Sequence, residues 1–260
     1  MLLDEIVAHK RVEVEKLKRT RPLETLQEAL ERAEPPRDFR TALRLEGISL
    51  IAEIKRASPS RGDMLPGVDA VEIADLYEQS GARALSVLTD SQYFKGSLED
   101  LTSVHTNVRL PCLRKEFIID PYQLYEARAA SADAILLIVR ILTDSEIVEY
   151  LRVTRSLGMA ALVETHTADE IDRALNCGAH IIGINNRNLD TLEMDVNTTV
   201  QLKRRVPGGN ILVSESGIYT RAQVKMLEDG GVDAILVGES LLTSRNIRGK
   251  IRELLGNDES

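Results

Sequence analysis

The sequence predicts an α/β fold: a (β/α)8 TIM barrel with an all-parallel sheet and an extra N-terminal helical extension. Three observations predict it. Apolar, β-prone runs alternate with helical segments from residue 50 onward, there are eight of each, and no linker interrupts them. Repeated βα units build a parallel sheet, and eight such units close into a barrel. The 260 residues therefore fit one domain, with 1–46 as the extension and 47–260 as the barrel.

The alternating pattern places each element of the barrel. Strands are expected at 50–55, 84–89, 111–115, 134–139, 160–164, 181–185, 211–215 and 234–238. Helices are expected at 69–80, 97–106, 121–130, 144–157, 168–176, 196–205, 220–229 and 246–255. A doubly wound open sheet is the alternative. It would usually carry a glycine-rich phosphate loop after its first strand, and the sequence has none there.

The extension before the first strand has its own helical pattern. Residues 2–19 carry apolar side chains at helical spacing, and a second helical segment begins at Pro22 and ends before Pro35. An amphipathic helix has to bury its apolar stripe. We therefore expect the extension to dock on the barrel.

Composition excludes several classes of protein. With 43% hydrophobic and 28% charged residues, the chain favours neither disorder nor membrane insertion. An acidic start at Asp4 and Glu5 argues against a secretory signal. The net charge of −8 argues against nucleic-acid binding, but lysines and arginines inside a cleft can still attract a small anion. Cys112 and Cys177 lack metal-binding spacing and indicate buried free thiols in a cytoplasmic protein.

The stretch from Ser49 to Gly62, SLIAEIKRASPSRG, carries an acid and a base at the end of the first strand. Side chains alternate along a strand, so Glu53 and Lys55 project to the same side. Two charges on the inner face of an apolar strand are costly unless each has a partner. A structural ion pair is one reading, but parallel barrels place their chemistry at this end of the strands.

Polar residues also end most of the other strands. Lys115 ends the third strand and shares a face with Leu113 and Phe117. The remaining candidates at strand ends are Glu164, Asn185, Arg187, Glu215, Ser216, Gly217, Gly238 and Glu239. Two lysines and three glutamates thus converge on one mouth, and burying them without a function would be expensive.

Glycines follow the seventh and eighth strands, where barrels usually bind phosphate. Gly217 and Gly238 would let backbone N–H groups approach an anion, although plain turn glycines are the alternative. The four histidines are scattered, and only His166, two residues beyond Glu164, lies near a strand end. A histidine-based mechanism is therefore not expected.

Eight segments carry a family resemblance: AEIKRASPSRG (52–62), LTDSQYFKGS (88–97), LRKEFIIDPYQ (113–123), LLIVRILT (136–143), LVETH (162–166), GINNRNL (183–189), VSESGI (213–218) and LVGES (236–240). Together they resemble indole-3-glycerol-phosphate synthase, a family of enzymes in tryptophan biosynthesis. The resemblance covers nearly the whole chain. It implies a cofactor-free, metal-free enzyme that takes 1-(2-carboxyphenylamino)-1-deoxyribulose 5-phosphate, closes the pyrrole ring, and releases CO₂ and water.

The resemblance also implies roles for the strand-end residues. Lys115 resembles the general acid that activates the ketone, and Glu164 resembles the general base of the final dehydration. Lys55 resembles the cation that holds the anthranilate carboxylate and assists later proton transfer. The other implied positions are Glu53 and Glu215, which orient the lysines; Asn185, for the sugar portion; Ser58, Arg187, Ser216, Gly217 and Gly238, for phosphate and sugar; and Phe94, Phe117, Leu136 and Leu189, for the aromatic ring. A lysine beside carboxylates can shuttle protons if its pKa is tuned toward neutrality.

Position 239 departs from the pattern, because some members of the family have serine there. We expect Glu239 to offer its backbone N–H to the phosphate while its carboxylate points away.

Two rival functions remain open. A related barrel isomerase acting on a phosphoribosyl-anthranilate would need a Cys/Asp acid–base pair at the mouth. A non-catalytic anion-binding barrel would not need both Lys115 and Glu164.

The expected partners follow from these features. We expect a phosphorylated small-molecule substrate, no nucleic acid, no membrane and a monomer, with a weak dimer as the alternative.

Overall fold

The protein is described by a computed structural model covering residues 2–31, 33–58, 62–64, 68–188, 191 and 193–257. Within these residues, eight parallel strands form a closed barrel. They are β1 (Ser49–Ile54), β2 (Ala84–Leu88), β3 (Cys112–Lys115), β4 (Ala134–Ile138), β5 (Ala160–Thr165), β6 (Ile181–Asn185), β7 (Ile211–Glu215) and β8 (Ala234–Val237). The ring closes where β1 pairs with β8, with Ser49 beside Ala234. The predicted barrel is confirmed, and each strand lies within one residue of its expected bounds.

The helices surround the barrel and extend it at the N-terminus. In the described part of the chain they are α1 (Leu2–Thr20), α2 (Leu23–Leu30), α3 (Phe39–Ala42), α4 (Ala70–Gln79), α5 (Ser91–Phe94), α6 (Leu98–Asn107), α7 (Tyr122–Ala129), α8 (Asp144–Ser156), α9 (Ala168–Asn176), α10 (Asn197–Leu202), α11 (Arg221–Asp229), α12 (Glu239–Leu242) and α13 (Ile247–Leu255). Short 3₁₀ helices cover Val139–Ile141 and Lys203–Arg205, and Ala57–Ser58 pairs with Gly62–Asp63.

Local sequence explains where many helices begin. A capping side chain accepts a hydrogen bond from the backbone N–H groups that a helix leaves without partners in its first turn. Thr143 and Thr220 form complete capping boxes with the third residues of α8 and α11. The four-residue helices α3, α5 and α12 were not predicted, because so short a segment shows no helical period.

The core has two layers, because the barrel strands bury both faces. Side chains such as Ile51, Leu113 and Leu162 fill the barrel, and Phe39 and Leu43 belong to the same cluster, so α3 closes the barrel's N-terminal end. The larger cluster lies between the strands and the surrounding helices. This packing leaves the carboxyl ends of the strands for the polar residues.

The N-terminal helices dock on the barrel as expected. Val14 of α1 and Leu26 of α2 are buried against Tyr122 of α7. A further contact was not expected: Lys10 of α1 is 2% exposed and lies among carboxylates near the barrel mouth. The extension therefore contacts the part of the barrel where the candidate site lies.

Two expectations from composition can be compared with the structure. Cys112 and Cys177 are both buried and form no disulfide. Among the residues that the structure describes, no helix has the length and apolar character needed to cross a membrane.

Candidate active site

A cavity of about 240 Å³ lies at the carboxyl ends of the strands and adjoins a smaller one of about 50 Å³. Both are lined by Glu53, Lys55, Lys115, Arg187 and Ser216. Of the other predicted site residues, the larger cavity is lined by Phe94, Phe117, Leu136, Glu164 and Asn185, and the smaller by Glu215, Gly217, Gly238 and Glu239. Leu189 and the side chain of Ser58 lie outside the described part of the structure. The fold therefore brings all the described candidates to one mouth.

The lysines and glutamates at the mouth contact one another. Lys55 Nζ lies 2.7 Å from Glu53 Oε1, as expected for side chains on one face of β1. Lys115 Nζ lies 3.3 Å from Glu164 Oε2 and 3.5 Å from Glu215 Oε2. Each lysine thus has a carboxylate partner, and Lys115 joins the ends of β3, β5 and β7.

Two glycines make room for these carboxylates. A Cβ on Gly183 would clash with Oε1 of Glu215, and a Cβ on Gly238 would lie 2.5 Å from Oε1 of Glu53. Real Cβ atoms do not approach other atoms so closely, because interiors are already close-packed. Gly238 was predicted from phosphate binding alone, and the structure adds this second reason for a glycine there.

Burial and charge act in opposite directions on Glu215. Its side chain is 1% exposed, and burial disfavours the charged form. Lys115 lowers the pKa of Glu215, but Glu164 and Glu53 raise it further, and the result is a pKa of about 8. Glu215 therefore carries a proton over much of the neutral range.

Lys115 and Glu164 keep their charges. Burial lowers the pKa of Lys115, but Glu164, Glu215 and Glu53 together raise it above its ordinary value. Burial raises the pKa of Glu164, but Lys115 and His166 outweigh burial and hold it below the ordinary value. A lysine tuned toward neutrality was expected, whereas these glutamates shift the pKa of Lys115 in the opposite direction.

The loop after β7 is built for an unusual backbone conformation. Ser216 has φ 68° and Gly217 has φ 74°, both in the left-handed region. Asn186 donates its amide to the Ser216 carbonyl at 3.0 Å and to Ser214 Oγ at 2.9 Å. Thr199 donates its backbone N–H and its hydroxyl to Asn186 Oδ1. This buried network holds the loop at the mouth of the barrel.

Arg187 and Glu239 face each other across the smaller cavity. Arg187 Nη2 lies 3.8 Å from Glu239 Oε2, and the Tyr219 hydroxyl donates to Glu239 Oε1 at 2.6 Å. The expectation was that the Glu239 carboxylate points away and only its backbone faces an anion. The structure instead places the carboxylate beside the arginine.

Apolar side chains form one wall of the larger cavity. The rings of Phe94 and Phe117 lie with centroids 6.1 Å apart and planes tilted by 35°. Leu2, Leu3 and Ile6 of α1 line the same cavity. Such a wall suits a flat aromatic group, and its contribution from α1 was not predicted.

Lys10 connects α1 to the two segments that carry the phenylalanines, which are α5 and the loop after β3. Its Nζ lies 3.0 Å from Asp90 Oδ2 and 3.2 Å from Glu116 Oε1. Asp90 accepts from the backbone N–H of Phe94, and Glu116 from that of Phe117. The sequence signal was available, because Lys10 stands four residues from both Ile6 and Val14 on the apolar stripe of the predicted helix.

His166 is a second contact that sequence reasoning left aside. Its Nε2 lies 3.5 Å from Glu164 Oε1, and its Nδ1 lies 3.3 Å from Glu170 Oε2. The position two residues beyond Glu164 was noted, but only the fold shows that the imidazole turns back toward the carboxylate. Within the described residues, no group of His, Cys, Asp and Glu side chains is arranged to hold a metal ion.

A different cavity, of about 410 Å³, lies at the opposite, N-terminal end of the barrel. Its lining includes Phe39, Arg40 and His180 but neither lysine nor glutamate. The mouth lining, in turn, contains neither Cys nor Asp among the described residues. The acid–base pair expected for the rival isomerase is therefore not found there.

Comparisons with known proteins agree with this geometry. The family model described as indole-3-glycerol phosphate synthase matches residues 3–254. Proteins of that name from Roseiflexus sp. (strain RS-1) and Dehalococcoides mccartyi (strain ATCC BAA-2100) are 48% and 46% identical, over 98% of this chain and 98% and 100% of theirs.

Similarity to solved structures at low identity shows the fold alone. The 3-hexulose-6-phosphate synthase from Salmonella typhimurium superposes with a TM-score of 0.66 at 12% identity, covering 80% of this chain and 97% of that one. A phosphoribosylanthranilate isomerase from Thermotoga maritima gives 0.57 at 14% identity, covering 81% and 97%.

Fold and site together define a barrel enzyme with an acid–base cluster at its mouth. Within that class, the match over nearly the whole chain is specific. The chain belongs to the indole-3-glycerol phosphate synthase family.

Proposed function

We propose that this protein is a carboxy-lyase of tryptophan biosynthesis that converts 1-(2-carboxyphenylamino)-1-deoxyribulose 5-phosphate to indole-3-glycerol phosphate, CO₂ and water. One observation carries the proposal: Lys115 lies between Glu164 and Glu215, beside an apolar wall that fits an aromatic ring. Family membership supports the same reaction.

The substrate has three parts, and the site offers a region for each. The phosphate is bound in the smaller cavity by Arg187 and by the backbone at Ser216, Gly217 and Gly238, with Glu239 nearby. The resemblance adds Ser58 to the phosphate contacts, although its side chain lies outside the described part of the structure. Phe94, Phe117 and Leu136 line the larger cavity and enclose the aromatic ring. The resemblance gives the same role to Leu189, which lies outside the described residues. Lys55 binds the carboxylate, and Asn185 binds the sugar portion. An arginine on the phosphate and a lysine on the carboxylate hold the reacting atoms in place.

Ring closure uses Lys115. The aromatic carbon that bears the carboxylate attacks the ketone carbon, and Lys115 transfers a proton to the ketone oxygen as charge develops there. The carboxylate then leaves as CO₂, and the electrons of the broken bond restore the aromatic ring. Glu215 carries a proton near neutral pH and lies 3.5 Å from Lys115 Nζ, so it can return a proton to the lysine.

Dehydration uses Glu164. Its carboxylate removes a proton from the carbon next to the nitrogen, and the hydroxyl left by ring closure departs with a proton from Lys55 as water. The new double bond completes the indole. Asn185 and Lys115 both contact Glu164, and Glu53 contacts Lys55, so the base and the acid are held on the same side of the cluster.

The proposal extends to the setting in which the protein works. Buried free thiols at Cys112 and Cys177 fit a reducing compartment, and we expect a cytoplasmic protein. We also expect a monomer, with a weak dimer as the alternative.

The test is to add the substrate and follow indole fluorescence. Wild type should form indole-3-glycerol phosphate, detected by its indole ring, and CO₂ in equal amounts. Lys115→Ala should lower kcat by at least about 10²-fold, because general acid catalysis contributes roughly that much. Lys16→Ala, on the exposed face of α1, is the control and should behave as wild type. A wild type that forms no indole, or a Lys115→Ala variant that keeps more than about a tenth of kcat, contradicts the proposal.

A further inference from the structure

Glu164 is held from two sides. Lys115 Nζ lies 3.3 Å from its Oε2, and His166 Nε2 lies 3.5 Å from its Oε1. His166 does not line either cavity at the mouth. It therefore contacts the carboxylate from behind, where it cannot touch a substrate.

Glu170 fixes the imidazole in this orientation. Its Oε2 accepts the backbone N–H of His166 at 2.7 Å and lies 3.3 Å from Nδ1. Thr167 caps α9 and accepts a hydrogen bond from the backbone N–H of Glu170, so the start of the helix sets the position of this carboxylate. A carboxylate only accepts hydrogen bonds, so Nδ1 carries the hydrogen and Nε2 is directed at Glu164.

The imidazole nitrogen that faces Glu164 is buried. The side chains of His166 and Glu164 are 6% and 5% exposed. Nε2 has no hydrogen-bond partner among the described residues. A buried polar atom in that condition is costly, and catalytic hydrogen bonds often shorten only when the substrate binds. Glu164 is the group within reach that can satisfy it.

The charges around His166 favour the imidazolium. Glu164 of β5, Glu170 of α9 and Glu215 of β7 all act on it. Burial lowers the pKa of His166, but the hydrogen bond to Glu170 and the charges of Glu164, of Glu170 and, where it is ionised, of Glu215 raise it above its ordinary value. Burial raises the pKa values of the three carboxylates, but Lys115 lowers those of Glu164 and Glu215, and Arg140 lowers that of Glu170, so both cations favour charged carboxylates around His166.

We propose that His166, held by Glu170, is a positioning residue that orients the Glu164 carboxylate toward the reacting carbon and keeps it deprotonated. The inference rests on the proposed function, in which Glu164 is the base of the dehydration. It adds a chain of contacts from Glu164 in the site through His166 to Glu170 in the first turn of α9. His166 then shares the orientation of the base with Lys115 and Asn185.

Three variants test this in single-turnover dehydration followed across pH. His166→Ala should lower the rate on the high-pH plateau about 10- to 100-fold, as a misplaced catalytic group does. It should also move the acidic limb of the profile to higher pH, because removing a nearby cation raises the pKa of Glu164. Glu170→Gln keeps an acceptor for the backbone N–H of His166 but removes the negative charge that stabilises the imidazolium. It should therefore also move the acidic limb to higher pH.

His166→Gln separates orientation from charge. Its amide can donate to Glu164 from the position that the imidazolium Nε2 occupies, but it carries no charge. The plateau should recover toward wild type while the limb stays shifted. The control is His105→Ala, which removes another histidine paired with a carboxylate, Asp133, and should change neither quantity.

The results distinguish the two proposals. A wild type that forms no indole overturns the proposed function itself. If wild type is active, the role of His166 is overturned when His166→Ala keeps both the high-pH rate and the position of the acidic limb. The role is also overturned if His166→Ala lowers the high-pH rate without moving the acidic limb and His166→Gln does not restore that rate. A purely structural loss would behave in this way. If His166→Ala fails to fold, the glutamine variants at 166 and 170 carry the same test.

Discussion

Glu215 shows at the scale of one residue how burial changes a carboxylate. Its ordinary pKa of 4.5 rises to about 8, with burial as the largest cause. The folded protein therefore binds a proton that the unfolded chain releases. The stability this contributes is fully present below about pH 4.5 and is lost as the pH rises through about 8.

Glu215→Gln removes this titration. The free energy of unfolding of wild type, minus that of the variant, should fall as the pH rises from about 4.5 to about 8. Urea unfolding at several pH values measures the difference. Asp229→Asn, which alters an exposed ion pair with Lys225, should show no such trend. A difference between wild type and Glu215→Gln that stays constant over this range contradicts the raised pKa.

Position 183 needs a glycine because a Cβ there would clash with the side chain of Glu215, not because its backbone has an unusual conformation. Gly183→Ala would force Glu215 aside and should destabilise the protein by about 1–3 kcal/mol, the usual effect of overpacking. It should also lower kcat, because Glu215 contacts Lys115. Gly208→Ala is the control, since a Cβ there meets nothing within 4 Å.

A double variant tests whether Glu215 is the cause. Combining Gly183→Ala with Glu215→Ala should recover most of the lost stability, because the clashing atom is gone. Strictly additive losses of unfolding free energy would show that the glycine serves another purpose.

Contacts between single residues could be predicted from the sequence when both residues lie on the same strand. Strand alternation was enough to place Glu53 beside Lys55. The pKa of Glu215 and the contact between His166 and Glu164 depend on neighbours from other strands and on the turn into α9. No local pattern contains that information.

At the scale of the element, helix α1 both lines the candidate site and is held in place by a buried ion cluster. Its first turns line the aromatic cavity, and Lys10 pairs with Asp90 and Glu116 in a buried cluster. Burying a charge is costly, and removing one partner leaves the others uncompensated.

Lys10→Met keeps the length of the side chain but removes its charge. It should destabilise the protein by about 3–5 kcal/mol and raise KM, because α1 and the segments bearing Phe94 and Phe117 lose their common partner. Thermal unfolding and steady-state kinetics measure the two effects. Lys16→Met, on the exposed face of α1, should change stability by less than about 0.5 kcal/mol. A Lys10→Met variant as stable as its control contradicts the anchoring role.

Elements were predictable when they were long and periodic. Eight strands and the eight helices that follow them were placed from their pattern, and the docking of the extension followed from its apolar stripe. The four-residue helix α5 was missed, although it positions Phe94, because its start depends on the cap at Asp90 rather than on any period.

The whole barrel brings together side chains that are far apart in the sequence. Parallel strands all end at the same face, so Lys55, Lys115, Glu164 and Glu215 meet although they come from different βα units. The mouth could therefore be predicted from strand order alone. The pairing of Arg187 with Glu239 could not, because it depends on how two loops fold over that face.

The phosphate region makes a prediction about the stability of the whole molecule. Inorganic phosphate should inhibit competitively and raise Tm, because a ligand that binds only the folded state stabilises it by about 2.7 kcal/mol at 100 times Kd. Gly217→Ala should remove both effects, since a Cβ there lies 3.2 Å from Met194 and strains a backbone with φ of +74°.

Gly209→Ala is the matched control, because it also has a positive φ but lies clear of other atoms. It should lose some stability yet keep the full response to phosphate. If Gly217→Ala responds to phosphate as wild type does, the anion binds elsewhere.

Lys115 acts in ring closure and Glu164 in the later dehydration, and single-turnover measurement of CO₂ and of the indole product separates these two steps. Glu164→Gln should bind substrate with near-normal affinity and release CO₂ faster than indole forms, because its base acts only after ring closure. Lys115→Ala should slow both products together, because ring closure itself fails. If Glu164→Gln instead binds weakly and slows both products alike, Glu164 is only a counter-ion, and the base must be sought at Glu53 or Glu215.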